Sequence, residues 1–179
     1  LTNAKNYDII GDIMMIGDVL FFKKENTFIS KLIANITSSE YTHVGLIVAY
    51  DNMTGVATII ESDRFVRTRV SRVQLDDKHV VFTAGDLSDE TRKKIVDHAF
   101  KSIGVSYDYL QVAGLFFSML FKGKRCALFN STNKLICSEL IDLAYYSSGV
   151  KRISVENLGN IMPSELIRFY ELKSFVKEV

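Results

Sequence analysis

Tryptophan is absent from this chain of 179 residues, proline occurs once, at Pro163, and cysteine twice, at Cys126 and Cys137. Two cysteines cannot build a disulfide framework, although they suffice for one bridge. With a single proline, no Gly/Ser-rich stretch and no internal repeat, nothing marks a linker, and residues 1–179 read as one domain. An excess of charge of one sign is missing as well. Lys plus Arg number 22 against 21 Asp plus Glu, and a net charge of +1 makes no field that would recruit nucleic acid. The most apolar stretch, Leu110 to Phe121, runs for only about a dozen residues where roughly 20 span a bilayer. It reads as a core helix or as an interfacial segment in peripheral contact with a membrane. The opening Leu1-Thr2-Asn3-Ala4-Lys5-Asn6 has no basic region followed by an apolar one, so no signal peptide is expected and a cytoplasmic location is the default. A Gly-rich phosphate loop and a Cys/His grouping at zinc spacing are both lacking, so neither cofactor nor metal is expected.

What is present is a composition that folds. Hydrophobic residues make up 47% of the chain and mean hydropathy is +0.12, enough to supply a substantial core. Ile9, Ile10, Ile13, Met14 and Ile16 recur at helical spacing, and Gly17-Asp18 then turns the chain into a buried strand, Val19-Leu20-Phe21-Phe22. Phe28, Ile29, Leu32, Ile33 and Ile36 predict an amphipathic helix. Strands follow at Tyr41–Tyr50 and Val56–Glu61, joined by the turn residues Asp51 to Gly55 as an antiparallel hairpin. Alternation within the first of these puts His43, Gly45, Ile47 and Ala49 on one face. Val66 to Leu75 alternates β-branched with polar residues, as in a half-exposed strand, and His79 to Phe82 supplies another. Ser88 is a good N-cap for a helix with the stripe Ile95, Val96, Ala99, Phe100 and Ile103, stopped near Gly104. Ser106-Tyr107-Asp108-Tyr109 opens the next helix. A further helix begins at Cys137 and buries Leu140, Ile141, Ala144 and Tyr145, and Pro163 marks the first turn of the last. The class is α+β.

Two segments carry chemistry: Thr42-His43-Val44-Gly45-Leu46-Ile47, a strand with a histidine among apolar residues, and Leu135-Ile136-Cys137-Ser138-Glu139-Leu140, a helix opening on a cysteine. A thiol is a strong nucleophile only as thiolate, and a helix N-terminus with a nearby imidazole favours that anion, moving a pKa of about 8.5 into a range of roughly 3.5 to 7.5. The alternative is a buried helix-start cysteine and a core histidine with satisfied nitrogens. A bridge to Cys126 would end the nucleophile reading. Glu61, on the strand paired with that of His43, either orients the imidazole or is a charged residue at a strand end. His79 and His98 have no partner at metal-ligand spacing and read as structural or surface histidines. The backbone N–H of Cys137 is a natural donor for an oxyanion.

These residues and their flanks, Gly17-Asp18-Val19-Leu20-Phe21-Phe22, His43-Val44-Gly45-Leu46, Ile60-Glu61, Tyr107-Asp108-Tyr109 and Cys137-Ser138-Glu139-Leu140, resemble the circularly permuted papain-like hydrolases related to NlpC-type cell-wall peptidases, in particular the YiiX/YaeF-like group. The likeness runs roughly from Asp12 to Leu166 and keeps the order His, acid, Cys, whereas unpermuted NlpC enzymes place the cysteine first. The lecithin:retinol acyltransferase relatives share the permuted order but usually carry a second histidine where this chain has Glu61. The resemblance implies a permuted papain-like fold, a small antiparallel sheet or partial barrel bearing the His and the acid, with the Cys helix packed on it. It also implies a Cys137, His43, Glu61 triad working through an acyl-enzyme on an amide, ester or thioester. Tyr107 or Asp108 would then lie near the cleft as a substrate contact, the other reading of that motif being a helix cap with packing aromatics. The expected substrate is small and peptide-like, from the cell wall among other sources. The alternatives are a lipid or lipoprotein acyl group, and a binding module that keeps the fold without the chemistry.

Overall fold

The computed structural model describes residues 14–24, 40–62, 67–107 and 134–174. The apolar run after Gly17-Asp18 forms β1 (Val19–Lys23), with Val19, Leu20 and Phe21 fully buried. A strand this continuously apolar belongs in the interior of a sheet. It pairs antiparallel with β2 (Tyr41–Asp51) on one side and β5 (His79–Thr83) on the other. β2 continues antiparallel to β3 (Val56–Ser62), and β3 to β4 (Thr68–Gln74). With β8 (Lys173–Ser174) beside β5, the order across the sheet is β4-β3-β2-β1-β5-β8. A parallel two-stranded pair, β6 (Ser106–Tyr107) with β7 (Lys134–Leu135), stands apart from it. The expected α+β class and the hairpin from Tyr41 onward are what the structure has.

Three helices among the described residues line one sheet face: α1 (Asp89–Lys101), α2 (Cys137–Ser147) and α3 (Pro163–Phe169). Ile95 and Ala99 of α1, Leu140, Ile141, Ala144 and Tyr145 of α2, and Leu166 and Phe169 of α3 meet Val19, Phe21, Val44, Leu46, Ile60 and Phe82 of the sheet. Leu20, Ile47, Ala57, Ile59 and Val81 form a smaller cluster on the opposite face. Each fully buried Val, Leu, Ile or Phe among them contributes roughly 1.5–3 kcal/mol by leaving water.

The Gly17-Asp18 turn is a tie point between the sheet and the helices. Gly17 takes φ +87° and its carbonyl accepts from the Tyr145 hydroxyl at 2.6 Å. Asp18 is buried against Arg92, with Arg92 Nη1 2.8 Å from Asp18 Oδ1, and its other oxygen accepts from the Met15 N–H at 2.8 Å.

Several expectations need correction. Met14 to Ile16 lie in a loop and turn, because the Asp18 carboxylate takes up the Met15 N–H there. In α1 the buried positions are Arg92, Ile95 and Ala99, while Phe100 is 46% exposed and Ile103, in the turn after the helix, 42%. The ion pair with Asp18 draws Arg92 inward and rotates the apolar stripe away from them. A register shift between Ile47 and Ala49 breaks the alternation of β2, so Tyr50 rather than Ala49 packs beside Ile47. Ser106-Tyr107 is a strand rather than a helix opening, held by its pairing with Lys134-Leu135. Ser88 caps α1 as expected, accepting from the Thr91 N–H at 3.2 Å. The helix expected over Phe28 to Ile36, the segment Leu110 to Phe121, Asp108 and Cys126 lie outside the described residues.

Candidate active site

Three elements converge on one point. His43 sits near the start of β2, Glu61 near the end of β3, and Cys137 is the first residue of α2. Helix α2 starts there because Ile136 takes an extended conformation (φ −97°, ψ 163°) directly after β7, and its N–H is met by Glu139 Oε2 at 3.4 Å. The next residue is anchored too: the Ser138 hydroxyl donates to the Ile161 carbonyl at 2.5 Å. Such a start aims the sulfur at the sheet, where the helix dipole favours an anion.

His43 Nε2 lies 2.8 Å from Glu61 Oε2, and the Cys137 thiol faces the same imidazole closely enough to shift its protonation. With Nε2 engaged by the carboxylate, Nδ1 is the nitrogen left for the thiol. The Phe22 ring, 5.0 Å from the His43 ring, packs against it. Glu61 keeps both oxygens occupied, since Oε1 accepts from the Ser71 hydroxyl at 2.5 Å and from Arg69 Nε at 3.3 Å. Close approach of β2 and β3 depends on Gly45, where a Cβ would stand 2.6 Å from Ile59 Cδ1.

The charges of the three groups are coupled. Burial by itself would lower the pKa of His43, but the Cys137 charge and hydrogen bond, reinforced by Glu61, raise it to about 10. Burial opposes ionisation of Cys137, yet the facing imidazolium, its hydrogen bond and the backbone N–H groups of Val44 and Ser138 hold the thiol below its ordinary value. Glu61, pushed up by burial, is brought down to about 2 by hydrogen bonds from His43 and Ser71 and by the charges of His43 and Arg69. Both shifts act in the direction of a thiolate facing an imidazolium, and the two protons belong to the pair.

The structure thus brings together Cys137, His43 and Glu61, and Cys137 carries a free thiol. Tyr107 lies in β6, paired with Leu135 two residues before Cys137. His79 stays apart, paired with Asp76 at 2.7 Å and edge-on to Phe22. Ser71, Arg69 and the Val44 and Ser138 N–H groups are contacts that sequence reasoning did not single out. The alternating polar positions of β4 were the one signal for the first two.

The family described as permuted papain-like amidase enzymes, YaeF/YiiX, C92 family, matches residues 14–167. Among solved structures, the crystal structure of metalloprotein YiiX from Escherichia coli O157:H7 (DUF1105) is similar, at 18% identity and a TM-score of 0.61, over 92% of this chain and 97% of that one. At that identity the likeness speaks to the fold. No curated protein matches the chain. Among the described residues no group of three or more His, Cys, Asp or Glu is placed to hold a metal ion. Nor is any helix among them long and apolar enough to cross a membrane.

Proposed function

This chain belongs to the YaeF/YiiX C92 family of permuted papain-like amidase enzymes, and on that premise we propose that it hydrolyses an amide bond of a small peptide-like substrate with Cys137, His43 and Glu61. The observation that supports this most directly is one imidazole set between a helix-start thiol and a buried carboxylate, with the carboxylate 2.8 Å from its Nε2. Cys137 as thiolate attacks the carbonyl carbon, and the oxygen takes up the negative charge beside the N–H groups at the start of α2. The His43 imidazolium gives its proton to the leaving nitrogen as the C–N bond breaks, leaving an acyl-enzyme. Neutral His43 then removes a proton from water, which attacks the thioester, and Cys137 departs as thiolate while the carboxylic acid is released, restoring the thiolate and imidazolium. Glu61 holds the tautomer and orientation of His43 through both steps.

A thiolate and its imidazolium would attack an ester or thioester as well. The apolar segment that would favour a lipid acyl group, residues 110–121, lies outside the described residues, and the family is described as amidase enzymes, which favours the amide. It is tested with Cys137→Ala and His43→Ala assayed on a panel of peptide amides that includes cell-wall stem peptides. Each variant should keep its circular dichroism and lose turnover. Full activity in either one rejects the proposal.

A further inference from the structure

We infer that Ser71 is a positioning residue for the site, acting through Glu61. The inference rests on the reading of Cys137, His43 and Glu61 given above and adds a fourth residue to it. β4 is an edge strand, and within it Ser71 pairs with Ile59, two residues before Glu61 on β3, so its side chain meets the carboxylate diagonally across the strands. The Ser71 hydroxyl donates to Glu61 Oε1 at 2.5 Å, on the oxygen that His43 does not use.

The geometry separates two tasks. A carboxylate held by one oxygen only can rotate about its last bond, and its second oxygen wanders from the imidazole. With Oε1 fixed by Ser71, Oε2 is held at the 2.8 Å contact with His43 Nε2, and the opposite ring nitrogen is aimed at the sulfur. The groups that bear on Glu61 are His43 from β2 and Arg69 and Ser71 from β4. Arg69 is the weaker anchor for Oε1, since its Nε stands at 3.3 Å and its side chain is 46% exposed. Ser71 is half-buried and its bond is shorter. The hydroxyl also helps keep Glu61 ionised, because burial alone would raise its pKa.

Two readouts test this with Ser71→Ala, Ser71→Thr and Ser71→Val. Thr and Val have nearly the same shape and differ in the hydroxyl, so that pair decides the matter if the alanine variant does not fold. The first readout is the 13C NMR titration of the Glu61 side-chain carboxyl, which reads the group whether or not the chain is a hydrolase. The second is the rate of Cys137 alkylation by iodoacetamide against pH. Losing the hydroxyl should raise the Glu61 midpoint. It should also slow alkylation roughly tenfold on the acid limb, the effect of one charge-assisted hydrogen bond, while Ser71→Thr stays with the parent protein. In a Glu61→Ala background, Ser71→Ala should add nothing further.

An unmoved Glu61 midpoint in Ser71→Ala, coincidence of the Thr and Val variants in both readouts, or an equal slowing in the Glu61→Ala background would each overturn the role of Ser71. If the Glu61 midpoint moves but Glu61→Ala leaves alkylation unchanged, Ser71 positions a carboxylate with no hold on the thiol, and the inference falls with the triad. Loss of Ser71 dependence while Glu61→Ala still alters alkylation overturns Ser71 alone.

Discussion

The His43 imidazole and the Glu61 carboxylate meet at 2.8 Å from adjacent antiparallel strands, and the contact pins one ring nitrogen so that the other is presented to Cys137. Glu61→Gln keeps the size of the side chain and removes its charge, so the imidazolium is less stabilised and the tautomer less constrained. Turnover should fall by roughly 10²- to 10⁴-fold with the fold intact, measured as kcat on a peptide amide alongside circular dichroism.

The pH dependence of turnover follows from the same pair. On the alkaline side His43 loses the proton it must give to the leaving group as pH rises through about 10. Cys137 alkylation by iodoacetamide should persist there, because the thiolate survives when the imidazolium does not. On the acid side both activities should fall as Cys137 gains a proton, at a pH below that of an ordinary thiol. Turnover and alkylation that decline together on the alkaline side would contradict this assignment.

Glu61 also links stability to pH. Its folded carboxyl is brought down from 4.5 to about 2, so the folded state binds fewer protons than the unfolded one across that interval. The stabilisation is fully present above about 4.5 and is lost as pH falls through the folded value. Urea unfolding of the parent protein and of Glu61→Gln at pH 5 and pH 3 should show the parent losing about 2 kcal/mol more than the variant.

Gly45 has no room for a side chain. Its Cβ would lie 2.6 Å from Ile59 Cδ1, and Ile59 is fully buried, so the methyl cannot swing into solvent. Gly45→Ala should destabilise by about 1–3 kcal/mol through overpacking. Ile59→Val removes the colliding atom, so the double variant should be more stable than the sum of the two single changes predicts. Thermal or urea unfolding of all four proteins measures the coupling.

A buried ion pair secures the segment after α2. Arg152 Nε is 2.8 Å from Asp142 Oδ1, whose neighbour Oδ2 accepts from the Gly159 N–H at 2.8 Å, and the Tyr170 hydroxyl donates to Oδ1 at 2.7 Å. The Arg152 guanidinium also lies over the Phe169 ring at 4.0 Å. Arg152→Met leaves Asp142 charged and fully buried without its cation, a change expected to cost about 3–5 kcal/mol. Tyr170→Phe removes one neutral donor to that carboxylate and should cost less, about 1.5–3 kcal/mol. Similar losses in the two variants, read by urea unfolding, would rule out this ranking.

Local pattern alone identified the apolar strand after Gly17-Asp18, the hairpin through Asp51 to Gly55, the Ser88 cap and the helix that opens on Cys137, because each is encoded by neighbouring residues through periodicity, turn chemistry and capping. The order of short motifs also singled out His43, Glu61 and Cys137, which lie up to 94 residues apart. Their mutual geometry was a different matter. Which nitrogen of His43 meets Glu61, which hydroxyl holds the far oxygen of that carboxylate, and which backbone N–H groups face the sulfur are set by strand register and by the packing of α2 on the sheet. The shift within β2 that displaces Ala49, and the ion pair that turns Arg92 inward in place of Phe100, arise for the same reason. Periodicity assigns a side chain to a face, and only contacts between elements distant in sequence decide what that face meets.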